Sequence, residues 1–310
     1  MDEEDSLKKA IRIQPTSYSE FAQLARSAAK GVEALGIRYR GTRFQRYVEF
    51  LEEATRRTYP RSIDWNRDRS AQIYEAEAIG QCVQLASSLG LQGRVDPELL
   101  KERLNEIVSG RDVVDDEDAD DPSRNKLLEL TTGSMLDRQG FGVELIAAGE
   151  DLVLRVPDAP AVPIECKRPA SMRSLERNVH KARRQLRSRL LRYPDGGVIV
   201  IGLDRAAGVS GKLARLENVE DIPAAVTEAL REGALATIKV GGEKLRSVAL
   251  AVVTVIAGAV FSSKPAMPTA VLRMTWAPVP LRGRRQAVAE QLAAAFKTRT
   301  GPPLAALIPK

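Results

Sequence analysis

Two acidic residues and a lysine stand at a spacing that suits hydrolytic chemistry. Asp151 opens a short alternating stretch, and thirteen residues separate it from the tripeptide Glu165-Cys166-Lys167, which closes another. Two strands joined by a short turn pair antiparallel, so the start of one meets the end of the next. Side chains alternate along a strand, which puts Glu165 and Lys167 on one face and Cys166 on the other. Two carboxylates and an ammonium then converge on one spot. Such a pair of carboxylates suits Mg²⁺, which prefers oxygen ligands and keeps several waters. The ion polarises a phosphoryl oxygen and lowers the pKa of a bound water. A neighbouring lysine orients that water or neutralises charge building on the phosphate. Glu129, upstream on a helical stretch, is placed to add a third carboxylate to the metal shell.

Composition narrows the chemistry to this kind. The 310 residues include one histidine, His180, and two cysteines, Cys82 and Cys166. A closed zinc site needs four Cys or His ligands, so none can be built from these three residues alone. A disulfide framework is excluded too, and so few cysteines fit a reducing cytosol. The N-terminus, Met1-Asp2-Glu3-Glu4-Asp5, is acidic, the opposite of a secretory signal. The longest uncharged apolar run, Ser247 to Ser263, has 17 residues and falls short of a membrane span. A cytoplasmic protein without a membrane segment is therefore expected. The formal net charge of +6 leans toward polyanionic partners.

The elements that must position these residues can be read from periodicity. Four helical stripes occupy residues 1–110. The first runs Phe21, Leu24, Ala25, Ala28, Val32, Leu35 before Gly36, and the second Phe44, Tyr47, Val48, Leu51, Ala54. The third runs Ile73, Ala76, Ile79, Cys82, Leu85, Leu89, and the fourth is capped by Asp96 and ended by Gly110. An acidic block follows, with seven Asp or Glu in the ten residues from Asp112 to Asp121. Like-charge blocks are usually solvated linkers, so a boundary is expected over residues 111–122. A domain over 123–310 then opens with a helix, Asn125 to Gln139, capped by Ser123. Strands are expected at Phe141–Ala147, Asp151–Val156 and Val162–Lys167, a long helix at Ser171–Arg192, and a central strand at Gly197–Leu203. Beyond these come a helix near Ile222–Glu232, strands at Val248–Val255 and Thr269–Trp276, and a helix from Arg284 to Lys297.

This order of elements, with Ile164-Glu165-Cys166-Lys167-Arg168-Pro169 inside it, resembles the PD-(D/E)XK nuclease superfamily over about Asn125 to Leu203. The resemblance implies an α/β fold: a restriction-endonuclease-like core of helix, three strands, helix and strand in a mixed sheet, here preceded by an all-helical N-terminal domain. It implies a metal site of Glu129, Asp151 and Glu165, with Lys167 catalytic and Gln185 as the glutamine that members often carry on the following helix. A literal Pro-Asp pair stands at Pro157-Asp158, but it falls in the turn at the far end of the hairpin, which favours Asp151. A plainer reading makes Asp151 a turn residue and Glu165 and Lys167 a same-face ion pair.

The long helix carries a second signal. From Lys167 to Arg192 there are ten Lys or Arg residues and one acidic residue, Glu176. A solvated face mixes signs, whereas one sign beside a metal site suggests phosphate contacts. Arg168, Arg173, Arg177, Lys181, Arg184 and Arg187 are the candidates, and Arg282, Arg284 and Arg285 could extend the patch. The expectation is a Mg²⁺-dependent phosphodiester hydrolase, with Mn²⁺ substituting, acting on nucleic acid. DNA is expected ahead of RNA and endonuclease action ahead of exonuclease, in a restriction-like or bacterial defence role. Cutting both strands would favour a homodimer. The alternative is a catalytically silent nucleic-acid-binding module with a nuclease fold.

Overall fold

The computed structural model describes residues 17–56, helical positions 75, 78–80, 82, 83 and 85, then 95–110, 121–146, 151–157, 159–204, 206, 215–264 and 266–300. Helices α1 (Tyr18–Ala34) and α2 (Arg43–Arg56) bury most of the apolar stripes expected of them, but Leu24 of the first is 45% exposed. Ile79, Cys82 and Leu85 of the third stripe are helical and buried, and its other members lie outside the described residues. Helix α3 (Pro97–Ser109) starts as expected, with the Glu98 N–H donating to Asp96 Oδ1 at 2.9 Å.

The start of α4 (Pro122–Arg138) corrects two expectations. Asp121, not Ser123, is the cap: its carboxylate accepts from the Arg124 N–H, and Ser123 Oγ, already inside the helix, donates to Asp121 Oδ1. The helix therefore begins inside the stretch assigned to the linker. A carboxylate at a helix N-terminus meets unsatisfied N–H groups and a favourable dipole, which a serine matches less well. The rest of the acidic block lies outside the described residues. At the other end Gly140 takes a φ of 81°, the left-handed conformation that releases the chain into the sheet.

The sheet is mixed. Strands β1 (Gly142–Glu144), β2 (Leu152–Arg155) and β3 (Val162–Lys167) form an antiparallel meander. Helix α5 (Met172–Ser188) then crosses over to β4 (Gly197–Gly202), which lies parallel to β3. A helix is the usual crossover between parallel neighbours. Strand β6 (Ala249–Lys264) continues the sheet parallel to β4, with β5 (Arg215–Asn218) pairing its second half and β7 (Ala266–Pro278) antiparallel along its length. Helix α6 (Ile222–Arg246) runs well past the expected Glu232, and Gly242, at φ 51° and ψ −151°, breaks it near its end. Helix α7 (Arg284–Thr300) closes the described chain. The chain is thus an α/β protein built on a mixed sheet.

Alternation along the central strands divides the core. Val162, Ile164 and Cys166 of β3, with Val198 and Val200 of β4, face a cluster that also holds Phe21, Tyr47, Leu104, Leu127, Val288 and Phe296. The N-terminal helices and the sheet therefore share one contiguous apolar core. Ile199 and Ile201 face the other way, onto Leu175, Val179, Ala182 and Leu186 of α5 and Val226 and Leu230 of α6. Burying each such aliphatic side chain stabilises the fold by about 1.5–3 kcal/mol. No helix among the described residues is long and apolar enough to cross a membrane.

Candidate active site

The β2–β3 register pairs Leu152 with Ile164 and Leu154 with Val162. One step on, Asp151 falls beside Glu165, while the hairpin turns between Val156 and Val162, at the opposite end. Asp158 lies outside the described residues. Asp151 sits just before the strand rather than in it, and its Oδ2 accepts from the Cys166 N–H at 2.7 Å. That contact ties the carboxylate to the backbone of the motif strand.

Lys167 gathers the site. Its Nζ donates to Glu165 Oε2 at 3.1 Å and to the Cys166 carbonyl at 2.8 Å, and stands 3.7 Å from Asp151 Oδ2. Three oxygens, one from the residue before β2 and two from β3, thus surround one ammonium. Glu165 is fully buried, and its second oxygen is held by Arg189, the C-cap of α5. A buried carboxylate needs such pairing, because an uncompensated one costs far more than the pair returns.

Glu129 approaches from the other face of β3. Helix α4 packs on the face of β3 that carries Cys166, whereas Glu165 and Lys167 face α5. The expected gathering of Glu129, Asp151 and Glu165 around one ion is therefore not the arrangement seen. Among the described residues no group of three or more His, Cys, Asp or Glu is disposed to hold a metal. The partners of Glu129 are Lys126, with Nζ at 3.0 and 2.9 Å from its two oxygens, and Arg103 at 3.2 Å. Burial, and then repulsion from Asp151, pushes its carboxyl up to about 7 against the pull of these two cations. Cys166 is buried at this face, and burial followed by the charges of Asp151 and Glu129 raises its thiol well above the usual range.

The basic helix divides into two populations. Arg173, Arg177, Lys181, Arg184 and Arg187 are all exposed and fall on one face of α5, opposite the buried stripe. At 1.5 Å per residue this face is about 21 Å long. Arg168 does not join it. Its Nε donates to both oxygens of Asp204 at 3.1 and 2.9 Å, linking the ends of β3 and β4, and only 11% of its side chain is exposed. The expectation of a phosphate contact there gives way to a buried ion pair. Arg284 and Arg285 both bind Asp195, one at its carboxylate and one at its carbonyl. Gln185 lies one helical turn before Arg189 on the same side of α5. Its Oε1 is buried with no hydrogen-bond partner among the described residues. His180 approaches Glu176 at 3.5 Å on the surface.

Two arginines escaped sequence reasoning. Arg189 had a signal, since it follows Gln185 by one turn on the helix after the motif strand. Arg103 had another: it stands within the apolar stripe of Leu100, Leu104 and Ile107, where a charge is out of place unless it is paired.

No family model, curated protein or solved structure matches this chain. The geometry alone carries the functional argument.

Proposed function

We propose that this chain is a metal-dependent nuclease of the PD-(D/E)XK type, hydrolysing phosphodiesters in DNA ahead of RNA. The observation that carries the reading is the set of three oxygens around the Lys167 ammonium: Asp151 Oδ2, Glu165 Oε2 and the Cys166 carbonyl. An all-oxygen set with two carboxylates is what Mg²⁺ or Mn²⁺ takes, and these residues would hold it. A bound ion would supply a more acidic water and a polarised phosphoryl oxygen.

The chain's own groups do the rest. Arg189 fixes the rotamer of Glu165 from behind. Lys167, at the rim of the same oxygens, neutralises charge on the phosphate as the bond to the leaving oxygen breaks. Gln185, with an unmet acceptor beside Arg189, takes a donor from the reacting water or the strand. The exposed face of α5 holds the phosphate backbone by sequence-independent attraction. Two copies of the chain would cut both strands.

The test is cleavage of plasmid, single-stranded DNA and RNA by the full chain, with Mg²⁺, Mn²⁺ or EDTA. Metal-dependent strand breaks lost in Asp151→Asn and Lys167→Ala are expected. Cleavage that survives both substitutions overturns the reading. Sedimentation of the chain with and without duplex tests the dimer.

One observation favours a second reading. Glu165 is already neutralised by two cations, which is how a purely structural carboxylate is held. The chain would then bind nucleic acid through α5 without cutting it. Salt-dependent binding to duplex, unchanged by Asp151→Asn and without strand breaks in any metal, would establish that reading.

A further inference from the structure

The proposed metal site lies on strands β2 and β3, yet one of the groups holding it comes from the N-terminal helices. Arg103 on α3 reaches across 48 residues of sequence, and its Nη1 donates to the Asp151 carbonyl at 2.9 Å. The same nitrogen stands 3.2 Å from Glu129 Oε2, and Nη2 donates to the Ile146 carbonyl at 3.4 Å. One guanidinium therefore touches α4, the end of the chain leaving β1 and the start of the chain entering β2. A planar fork with five donors makes such a contact, and a single ammonium cannot.

The placement has a cost that needs an explanation. Arg103 is 7% exposed, and a buried guanidinium is retained only where its geometry is good and its acceptors are several. Its two carbonyl acceptors, Ile146 and Asp151, bracket the segment that leads into the aspartate. Asp151 is thereby gripped twice. Its carbonyl is held by Arg103 on the α4 side, and its carboxylate by the Cys166 N–H on the strand. Holding both ends of one residue sets the direction in which its carboxylate points. Glu129 acquires a role in the same arrangement, as the counter-ion that aims the guanidinium.

We infer that Arg103 is a positioning residue for the proposed metal site, through which the N-terminal helices set the orientation of Asp151. The inference rests on the nuclease reading. It makes the helical segment part of the active centre rather than a detachable accessory. Groups that orient metal ligands from behind govern metal affinity as well as rate, and losing one costs about 10–100-fold.

The experiment titrates Mn²⁺ against the rate of plasmid cleavage by the full chain, as wild type, Arg103→Met and Arg103→Lys, below the unfolding temperature of each. Arg103→Met is expected to raise the Mn²⁺ concentration for half-maximal rate about 10–100-fold. Its KM for DNA stays within about twofold, and saturating Mn²⁺ recovers most of kcat. Arg103→Lys, which keeps the charge and loses the fork, falls between wild type and Met. Should Arg103→Met fail to fold, Arg103→Lys alone decides, with a several-fold rise expected. A half-saturating concentration equal to or below that of wild type overturns the inference. A purely structural role would lower the unfolding temperature and leave the metal titration in place, and that result overturns it as well. Failure of the nuclease reading is separate: wild type itself would then show neither cleavage nor saturable Mn²⁺ binding, and the inference falls with it.

Discussion

Two buried carboxylates, Glu75 and Glu165, are each held by two cations, and they differ in what else surrounds them. Glu75 is 1% exposed and is held by Arg43, Arg124 and the Tyr47 hydroxyl, all buried. Burial works against its charge, yet Arg43, Arg124 and Arg168 together bring its carboxyl below the ordinary value. It joins the N-terminal helices to the start of α4, where Asp121 also grips Arg124. Glu165 is equally buried, but its cations are a lysine and an arginine at the rim, and a second carboxylate and a bare carbonyl share the lysine. Around Glu75 the two guanidiniums are spent on protein acceptors, Arg43 also on the Ile107 carbonyl and Arg124 also on Asp121. Around Glu165 a second carboxylate and a carbonyl come to one lysine. Burial and pairing alone thus do not separate the two carboxylates; the kind of cation and the oxygens that share it do, and the nuclease reading rests on that difference.

Substitutions can break or sharpen that contrast. The largest effect is expected of Glu165→Gln, which should cut plasmid cleavage at least about a thousandfold, the several kcal/mol that metal assistance supplies, while urea unfolding shows the chain still folded. Glu75→Ala should do the reverse. Leaving Arg43 and Arg124 buried without their anion should cost about 3–5 kcal/mol in denaturant unfolding, with cleavage per folded molecule unchanged. A large activity loss there would erase the distinction between the two sites. Arg189→Met, which frees Glu165 from one side, should reduce kcat about 10–100-fold with little change in DNA affinity in a filter-binding assay. Arg177→Ala and Arg184→Ala should each lower the slope of log affinity against log salt by about one, without dependence on DNA sequence. The smallest effect belongs to Asp121. Burial opposes its charge, but Ser123 and Arg124 hold its carboxyl down to about 2, against 3.8 in an unfolded chain. The stability this brings is present above about pH 4 and is lost as pH falls toward 2, so Asp121→Asn should flatten the acid limb of the unfolding profile.

Much of this arrangement was legible in the residues because it depends on local rules. The hairpin that brings Asp151 beside Glu165 follows from strand alternation and a short turn. The exposed stripe of Arg173, Arg177, Lys181, Arg184 and Arg187 follows from 3.6 residues per turn. The cap at Asp96 follows from the donors every helix start leaves unmet. The places where local reading failed are those where a partner distant in sequence decides. Ser123 looked like a cap until Asp121 and its ion pair with Arg124 were seen to take that position. Arg168 looked like part of the basic stripe until Asp204, 36 residues on, was found to neutralise it. Glu129, expected as a third metal carboxylate, is paired with Lys126 and with Arg103, 26 residues away.

The sequence by itself determined which residue types could do the chemistry, which helices and strands carry them, and which side of a strand or helix each one takes. These depend on neighbours a few positions away, where backbone geometry leaves few choices. Only the tertiary structure decided which charges are consumed by one another. That outcome depends on burial and on pairs as distant as Arg103 and Asp151, because a charge buried in the core must find its partner wherever the packed elements place one.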